Sequence, residues 1–172
     1  MDLLQHSVPH SGGQEGNRDF DGLDRLAWPP EAKEDVTDLE RARRAKLWVF
    51  EAAERLMSDQ KLYRQPTVTL TMLAKKLNVS TRCLSASIGH YAGQSFRDYV
   101  NTYRVSYVRK ALRRPAPDRP PIAQVAIEAG FISPSTFYAA FKRQWGMTPR
   151  QCIKEARSLE RAQQCRADTA SG

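Results

Sequence analysis

Side chains able to do covalent or metal chemistry are sparse in this chain of 172 residues, and they do not converge. Cys83, Cys152 and Cys165 are an odd number with no CxxC spacing and no histidine at the distance a zinc site needs. That usage argues for a reducing compartment and against a bound metal. His6 and His10 stand near the start and His90 stands alone. No Ser/His/Asp set, paired carboxylates or glycine-rich phosphate loop is recognisable, so the expectation is a non-enzyme that needs no cofactor. What remains is charge. Lys and Arg number 27 against 19 Asp and Glu, a net +8 that is unevenly spread. Residues 1–40 hold ten acids and three bases, net −7, whereas residues 41–172 hold nine acids and 24 bases, net +15. Such a basic excess is the footprint of a polyanion binder or, more plainly, of a solvated face that keeps the chain soluble.

The elements that must position these charges are helices. Residues 1–36 are polar, acidic and interrupted by Ser11-Gly12-Gly13 and Trp28-Pro29-Pro30, and are expected to be disordered. No positively charged leader precedes an apolar core and no run is long enough to span a bilayer, so neither a signal peptide nor a membrane anchor is expected. Thr37-Asp38-Leu39-Glu40 is a capping box, in which the Thr hydroxyl takes an orphan helix N–H and the Glu reaches back. A helix should run from Asp38 toward Asp59 with Leu47, Phe50, Ala53, Leu56 and Met57 buried. Short helices are then expected over Thr69 to Asn78, from Ser80 to near Gly93, over Ser95 to Arg114, Ile122 to Ala129, Pro134 to Trp145, and Pro149 to about Arg157. The prolines between Pro115 and Pro121 end the longest of them. The domain is expected to occupy residues 37–157, with 158–172 as a polar tail. No stretch reads as a strand, and the fold class is all-α.

An internal repeat organises this set. At an offset of 52 residues Leu73, Ala74, Leu77, Asn78 and Val79 fall on Val125, Ala126, Ala129, Gly130 and Phe131. Past the inserted Ile132 the offset is 53, and Ser80, Leu84, Ile88, Gly93 and Ser95 fall on Ser133, Phe137, Phe141, Gly146 and Thr148. The alanines stand where the first helix of a pair must approach the second. Asn78 and Gly130 are the residue types that best tolerate the left-handed backbone of a tight turn. Ser80 and Ser133 are N-caps, and Pro134 has the favoured first helical position. Leu84, Ile88, Phe137 and Phe141 anchor one face and leave the opposite one free. The pattern is a helix-turn-helix written twice. The expected linker from Ser95 to Arg113 would span roughly 28 Å at about 1.5 Å per residue, comparable with the 34 Å or so between successive major-groove faces on one side of B-DNA.

With these residues in view, the chain resembles the C-terminal DNA-binding domain of the AraC/XylS family of bacterial transcription regulators. The likeness rests on Leu73-Ala74, Val79-Ser80 and Leu84-Ser85; on Gly93-Gln94-Ser95-Phe96 with Tyr99-Val100-Asn101 and Arg104; and above all on Val125-Ala126-Ile127-Glu128-Ala129-Gly130-Phe131. The run Ser133-Pro134-Ser135-Thr136-Phe137-Tyr138 into Phe141-Lys142, then Gly146-Met147-Thr148-Pro149, completes it. The resemblance covers residues 47 to 157 and implies seven helices, two helix-turn-helix subdomains joined by a long linker helix, and recognition helices at Thr81 to Ala92 and Pro134 to Trp145. Many members carry an effector or dimerisation domain ahead of this one, whereas the 40 preceding residues here are too few to build a core. A stand-alone regulator and a truncated one are both compatible with that.

Matching position by position, the resemblance implies base contacts from Arg82, Ser85 and Ala86 on the first recognition helix and from Ser135, Thr136, Tyr138 and Ala139 on the second. Arg82 has the fork that reads guanine O6 and N7, and a phosphate contact is its alternative. Tyr138 could instead pack on a neighbouring helix. Phosphate contacts are implied at the helix starts of Ser95 and Thr148, and from Arg104, Lys142, Arg143 and Arg150; Arg104 could equally brace the two halves. Arg97, Arg109, Lys110, Arg113 and Arg114 read as a solvated face, and Trp48, Phe50, Phe96, Phe131, Phe137, Phe141 and Trp145 as core.

The function expected is a sequence-selective transcription regulator, partnered by double-stranded DNA and RNA polymerase, a monomer or weak dimer, in the cytoplasm and associated with the nucleoid. The alternative is an interaction protein that keeps the fold and binds another transcription factor through Leu39, Leu47 and Phe50. A third class, alkyl transfer in DNA repair, would need a reactive cysteine cluster that residues 1–40 lack. The opposite charges of the two parts carry an expectation of their own: deleting residues 1–36 should raise nonspecific DNA affinity at low salt. A binding curve against salt that does not move on deletion would remove the idea.

Overall fold

The Thr37 hydroxyl accepts from the Glu40 backbone N–H while the Glu40 carboxylate accepts from that of Thr37, so the expected capping box is formed. It opens helix α1, Asp38–Ser58. The structure is a computed structural model describing residues 37–115 and 117–170. The segment expected to be disordered, 1–36, lies outside the described residues. After α1 come a single 3-10 turn, Leu62–Arg64, and six further helices: α2, Leu70–Lys76; α3, Thr81–Ala92; α4, Phe96–Leu112; α5, Ile122–Glu128; α6, Pro134–Trp145; and α7, Pro149–Ala170. Among the described residues there is no strand, and the fold is all-α with seven α-helices.

Three local expectations are corrected. The buried stripe of α1 is Val49, Ala52, Ala53, Leu56 and Met57, whereas Leu47 is 40% exposed and Phe50 only half-buried against Tyr91 and Tyr99. The tight approach of α3 to α1 accounts for it, because small Ala52 and Ala53 fit there and bulky Leu47 does not. The linker α4 has 17 residues and spans about 25 Å. Helix α7 continues past Arg157 to Ala170. Among the described side chains beyond Ala156 none is fully buried, but Arg119, 7% exposed, bonds Glu160 at 2.5 Å and the Leu112 carbonyl at 2.8 Å, tying α7 to the end of α4. Polar anchoring of that kind leaves no apolar periodicity to read.

Helix α4 is shared. Near its start Tyr99 and Val100 are buried, and the Tyr99 hydroxyl donates to Glu54 of α1 at 2.7 Å; burial above all, and then this bond, hold the phenol far above its usual titration range. Further along, Val105, Val108, Ala111 and Leu112 enter one apolar cluster with Val125, Ala126, Phe131, Phe137, Phe141 and Cys152. Completely burying an aromatic ring such as Phe137 or Phe141 contributes about 1.5–3 kcal/mol. Helix α3 packs on α1, α2 and α4, and α4 in turn on α5, α6 and α7. One helix therefore carries both halves. Arg109, expected on a solvated face, is half-buried with its guanidinium 3.9 Å from the Trp145 ring centroid, a cation–π contact that fastens α4 to α6.

Candidate nucleic-acid interface

The two turns of the repeat are built alike atom by atom. In the first, the N–H of Leu77 bonds Leu73 O at 3.1 Å, Asn78 bonds Lys75 O at 3.2 Å and Val79 bonds Ala74 O at 3.0 Å. In the second, Ala129 bonds Val125 O at 2.9 Å, Gly130 bonds Ile127 O at 2.9 Å and Phe131 bonds Ala126 O at 3.0 Å. Each is a Schellman ending whose left-handed residue is the expected one, Asn78 at φ 53° and Gly130 at φ 91°. Leu84 and Ile88, like Phe137 and Phe141, are at most 1% exposed. The anchoring face of each second helix is thus completely spent on the core, and its outer face is left open.

On α3 that outer face holds Arg82, Ser85 and Ala86, all exposed, with Arg82 making no hydrogen bond or ion pair among the described residues. On α6 it holds Ser135, Tyr138 and Ala139, exposed, with Thr136 half-buried beside them. Tyr138 is 42% exposed. Lys142 and Arg150 are exposed and also without a partner among the described residues. The caps differ. Ser80 accepts from Cys83 N–H at 3.1 Å as expected, but Ser133, although in the N-cap position, shares its hydroxyl with Ser135 at 2.7 Å and caps nothing. Ser95 accepts from Asp98 N–H at 3.2 Å, and Thr148 exchanges bonds with Gln151 in a second capping box.

Two of the expected cations are already engaged. Arg143 of α6 pairs with Asp98 in the first turn of α4, a pair 45 residues apart that no spacing rule would reveal. Arg104 is 9% exposed: its Nε donates to Tyr63 O and its Nη2 to Gln65 O, both at 2.8 Å, and its charged carbon lies 5.6 Å from the Phe131 ring centroid. Burial lowers its pKa. These two bonds are those the bracing role expected for Arg104 would use. Arg104 holds the segment before α2 against α4 and the second turn.

That segment was not singled out from sequence. The Arg64 guanidinium donates to the Tyr107 hydroxyl at 2.5 Å, which donates to Glu128 at 3.1 Å. The Gln124 amide and the Tyr107 hydroxyl hold the Glu128 carboxyl below its usual range. Gly130 lies so close to this segment that a Cβ would stand 2.7 Å from Arg64 O and 2.8 Å from Tyr63 O. The 3-10 turn is therefore the hinge plate between the two helix pairs.

A family model for a helix-turn-helix domain matches residues 73–155, which takes in both turns and both open-faced helices. No curated protein matches the chain. Among solved structures, the C-terminal domain of AraT, a response regulator from Geobacillus stearothermophilus, is 29% identical with a TM-score of 0.53, over 62% of this chain and 84% of that one. The C-terminal domain of the two-component response regulator yesN from Fusobacterium nucleatum is 25% identical with a TM-score of 0.50, over 63% of this chain and 97% of that one. A transcriptional regulator with an AraC-type DNA-binding domain from Chromobacterium violaceum shares the fold at 21% identity and a TM-score of 0.54, over 63% of this chain and 91% of that one. Residues 73–155 thus match a helix-turn-helix domain, and they share the fold of the AraC-type DNA-binding domain from Chromobacterium violaceum. Among the described residues no helix is long and apolar enough to cross a membrane, and no group of His, Cys, Asp and Glu could hold a metal.

Proposed function

We propose that this chain is a DNA-binding transcription regulator that inserts α3 and α6 into adjacent major-groove segments of a promoter. The observation that carries the reading is the duplicated turn: two hydrogen-bonded copies, each followed by a helix with one face buried and the other free. The +15 excess of residues 41–172 supports it by supplying the attraction to phosphate that dominates affinity for DNA. Its partners are double-stranded DNA and RNA polymerase, and a monomer suffices because α4 joins two reading helices in one chain.

In this reading Arg82, Ser85 and Ala86 face bases in one groove, and Ser135, Thr136, Tyr138 and Ala139 face the next. Arg82 is the strong reader. The second set lacks a bidentate donor and contributes fit more than discrimination. Ser95, Thr148, Lys142 and Arg150 hold phosphates, and Arg143 joins them by exchanging Asp98 for a phosphate oxygen. Arg104 acts in the brace through Nε and Nη2 rather than on DNA.

Selection of binding sites from random duplex DNA tests this directly. A preferred site with two contact regions about one helical turn apart is the expected product; recovery of no preferred sequence would overturn it. On the selected site, Arg82→Ala should weaken binding by about 10- to 100-fold, corresponding to roughly 1–3 kcal/mol, and relax sequence preference at one position. Lys142→Ala or Arg150→Ala should weaken all sequences alike and lower the salt slope by about one. If Arg82→Ala behaves like the lysine variant, Arg82 binds phosphate and not a base.

A further inference from the structure

Between the two helix pairs lies a cleft of about 430 Å³, within the roughly 300–1,000 Å³ typical of small-molecule sites. Its walls come from three places that no short peptide segment joins: Leu70 at the start of α2, Phe96 and Val100 on α4, and Phe131 and Ile132 in the second turn. Half of its lining is polar, from Thr69, Arg97, Asn101, Arg104, Ser133 and Thr136. Asn101 is 6% exposed, lines the cleft, and makes no side-chain hydrogen bond with any described residue. The side chain is almost wholly enclosed, yet its amide atoms reach the solvent of the cleft, where they are open to a ligand. Arg104, at the floor, spends Nε and Nη2 on carbonyls and keeps Nη1, and its burial disfavours the bare charge. Arg97 stands exposed at the rim, unpaired among the described residues.

We propose that this cleft is a binding site for a small organic carboxylate with an apolar body, the carboxylate meeting the Asn101 amide between Arg97 and Arg104 and the body lying on Phe96, Val100 and Phe131. The apolar walls favour such a ligand over a DNA phosphate, which would gain nothing from them. A ligand there touches both helix pairs at once. Resting on the function proposed above, its occupancy would bias how the two pairs are set and so tune DNA affinity, a device for effector control inside the DNA-binding domain itself.

The test begins without DNA, so that it stands or falls separately from the DNA-binding reading. The full chain is titrated with benzoate and hexanoate, with benzamide as the uncharged control, while the side-chain amide signal of Asn101 and the methyl signals of Ile132 are followed by NMR. Saturable shifts at both residues with the carboxylates, and weaker ones with benzamide, are expected. Asn101→Asp should weaken carboxylate binding by about tenfold or more by placing like charge in the site, and Val68→Phe, at the rim, should weaken it by filling space. Thermal unfolding of each variant checks that the fold persists, and either variant alone suffices if the other fails to fold. No saturable shift, or unchanged binding in a folded variant, overturns the proposal. So does an Asn101→Asp protein that loses DNA affinity while the wild type ignores both carboxylates, since the amide would then belong to the DNA contact. In a final arm, carboxylate at saturation should change the affinity for the selected DNA site in the wild type and not in Val68→Phe.

Discussion

Replacing Gly130 by alanine is expected to destabilise the domain by about 3–5 kcal/mol. Two costs combine. At φ +91° an L side chain is strained whatever the room, worth about 1–2 kcal/mol. There is also no room, because backbone, and not a flexible side chain, occupies the space: Arg64 O at 2.7 Å, Tyr63 O at 2.8 Å and Arg64 C at 2.9 Å from the new methyl. Relief requires moving the 3-10 turn, and Arg104 is bonded to that turn. Gly93 and Gly146 provide the control. They have φ of +65° and +68° with nothing within 4 Å of a Cβ, so alanine at either should cost only the conformational share, about 1 kcal/mol. Urea unfolding of the three variants separates these contributions. Equal losses at all three positions would show that the contact with residues 63 and 64 counts for nothing.

Arg104→Met should cost about 2–4 kcal/mol, since it fills similar space but leaves the carbonyls of Tyr63 and Gln65 without their charged donor. Arg104→Lys should recover only part, because an ammonium on a flexible stem cannot reproduce two divergent N–H bonds. A second readout distinguishes a brace from a phosphate ligand. If Arg104 held DNA, Arg104→Lys would keep the salt slope while the folded stability stayed at the wild-type level. The brace predicts the reverse order, with stability lost first. Combined with Gly130→Ala, the two losses should fall short of their sum, as both act on the same turn.

The repeat explains how far the fold was legible. Leu73-Ala74 against Val125-Ala126, and Asn78 against Gly130, are local requirements of a helix-turn-helix, and every one of those backbone bonds is present where the pattern implied it. Helix caps at Thr37, Ser80 and Ser95 were legible for the same reason, as each acts within three residues. Ser133 escaped, because a competing hydroxyl at Ser135 took its bond. Leu47 was misplaced because a helix has two plausible apolar stripes until a neighbour selects one, and α3 selects the face with Ala52 and Ala53.

What the amino-acid order determined alone is the class of element, the two turns and the residues that crown each open-faced helix, since capping, left-handed backbone and apolar periodicity are decided within one or two helical turns. The setting of one helix pair against the other was decided only by tertiary structure. Arg104 reaches back 41 residues to Tyr63, Arg143 reaches 45 to Asp98, and Gly130 accepts a backbone 66 positions earlier. Asn78 and Gly130 read as equivalents in the repeat, yet one is exposed and the other lies against the carbonyls of residues 63 and 64. Contacts of that range depend on where the folded chain returns, and no periodicity in the sequence records it.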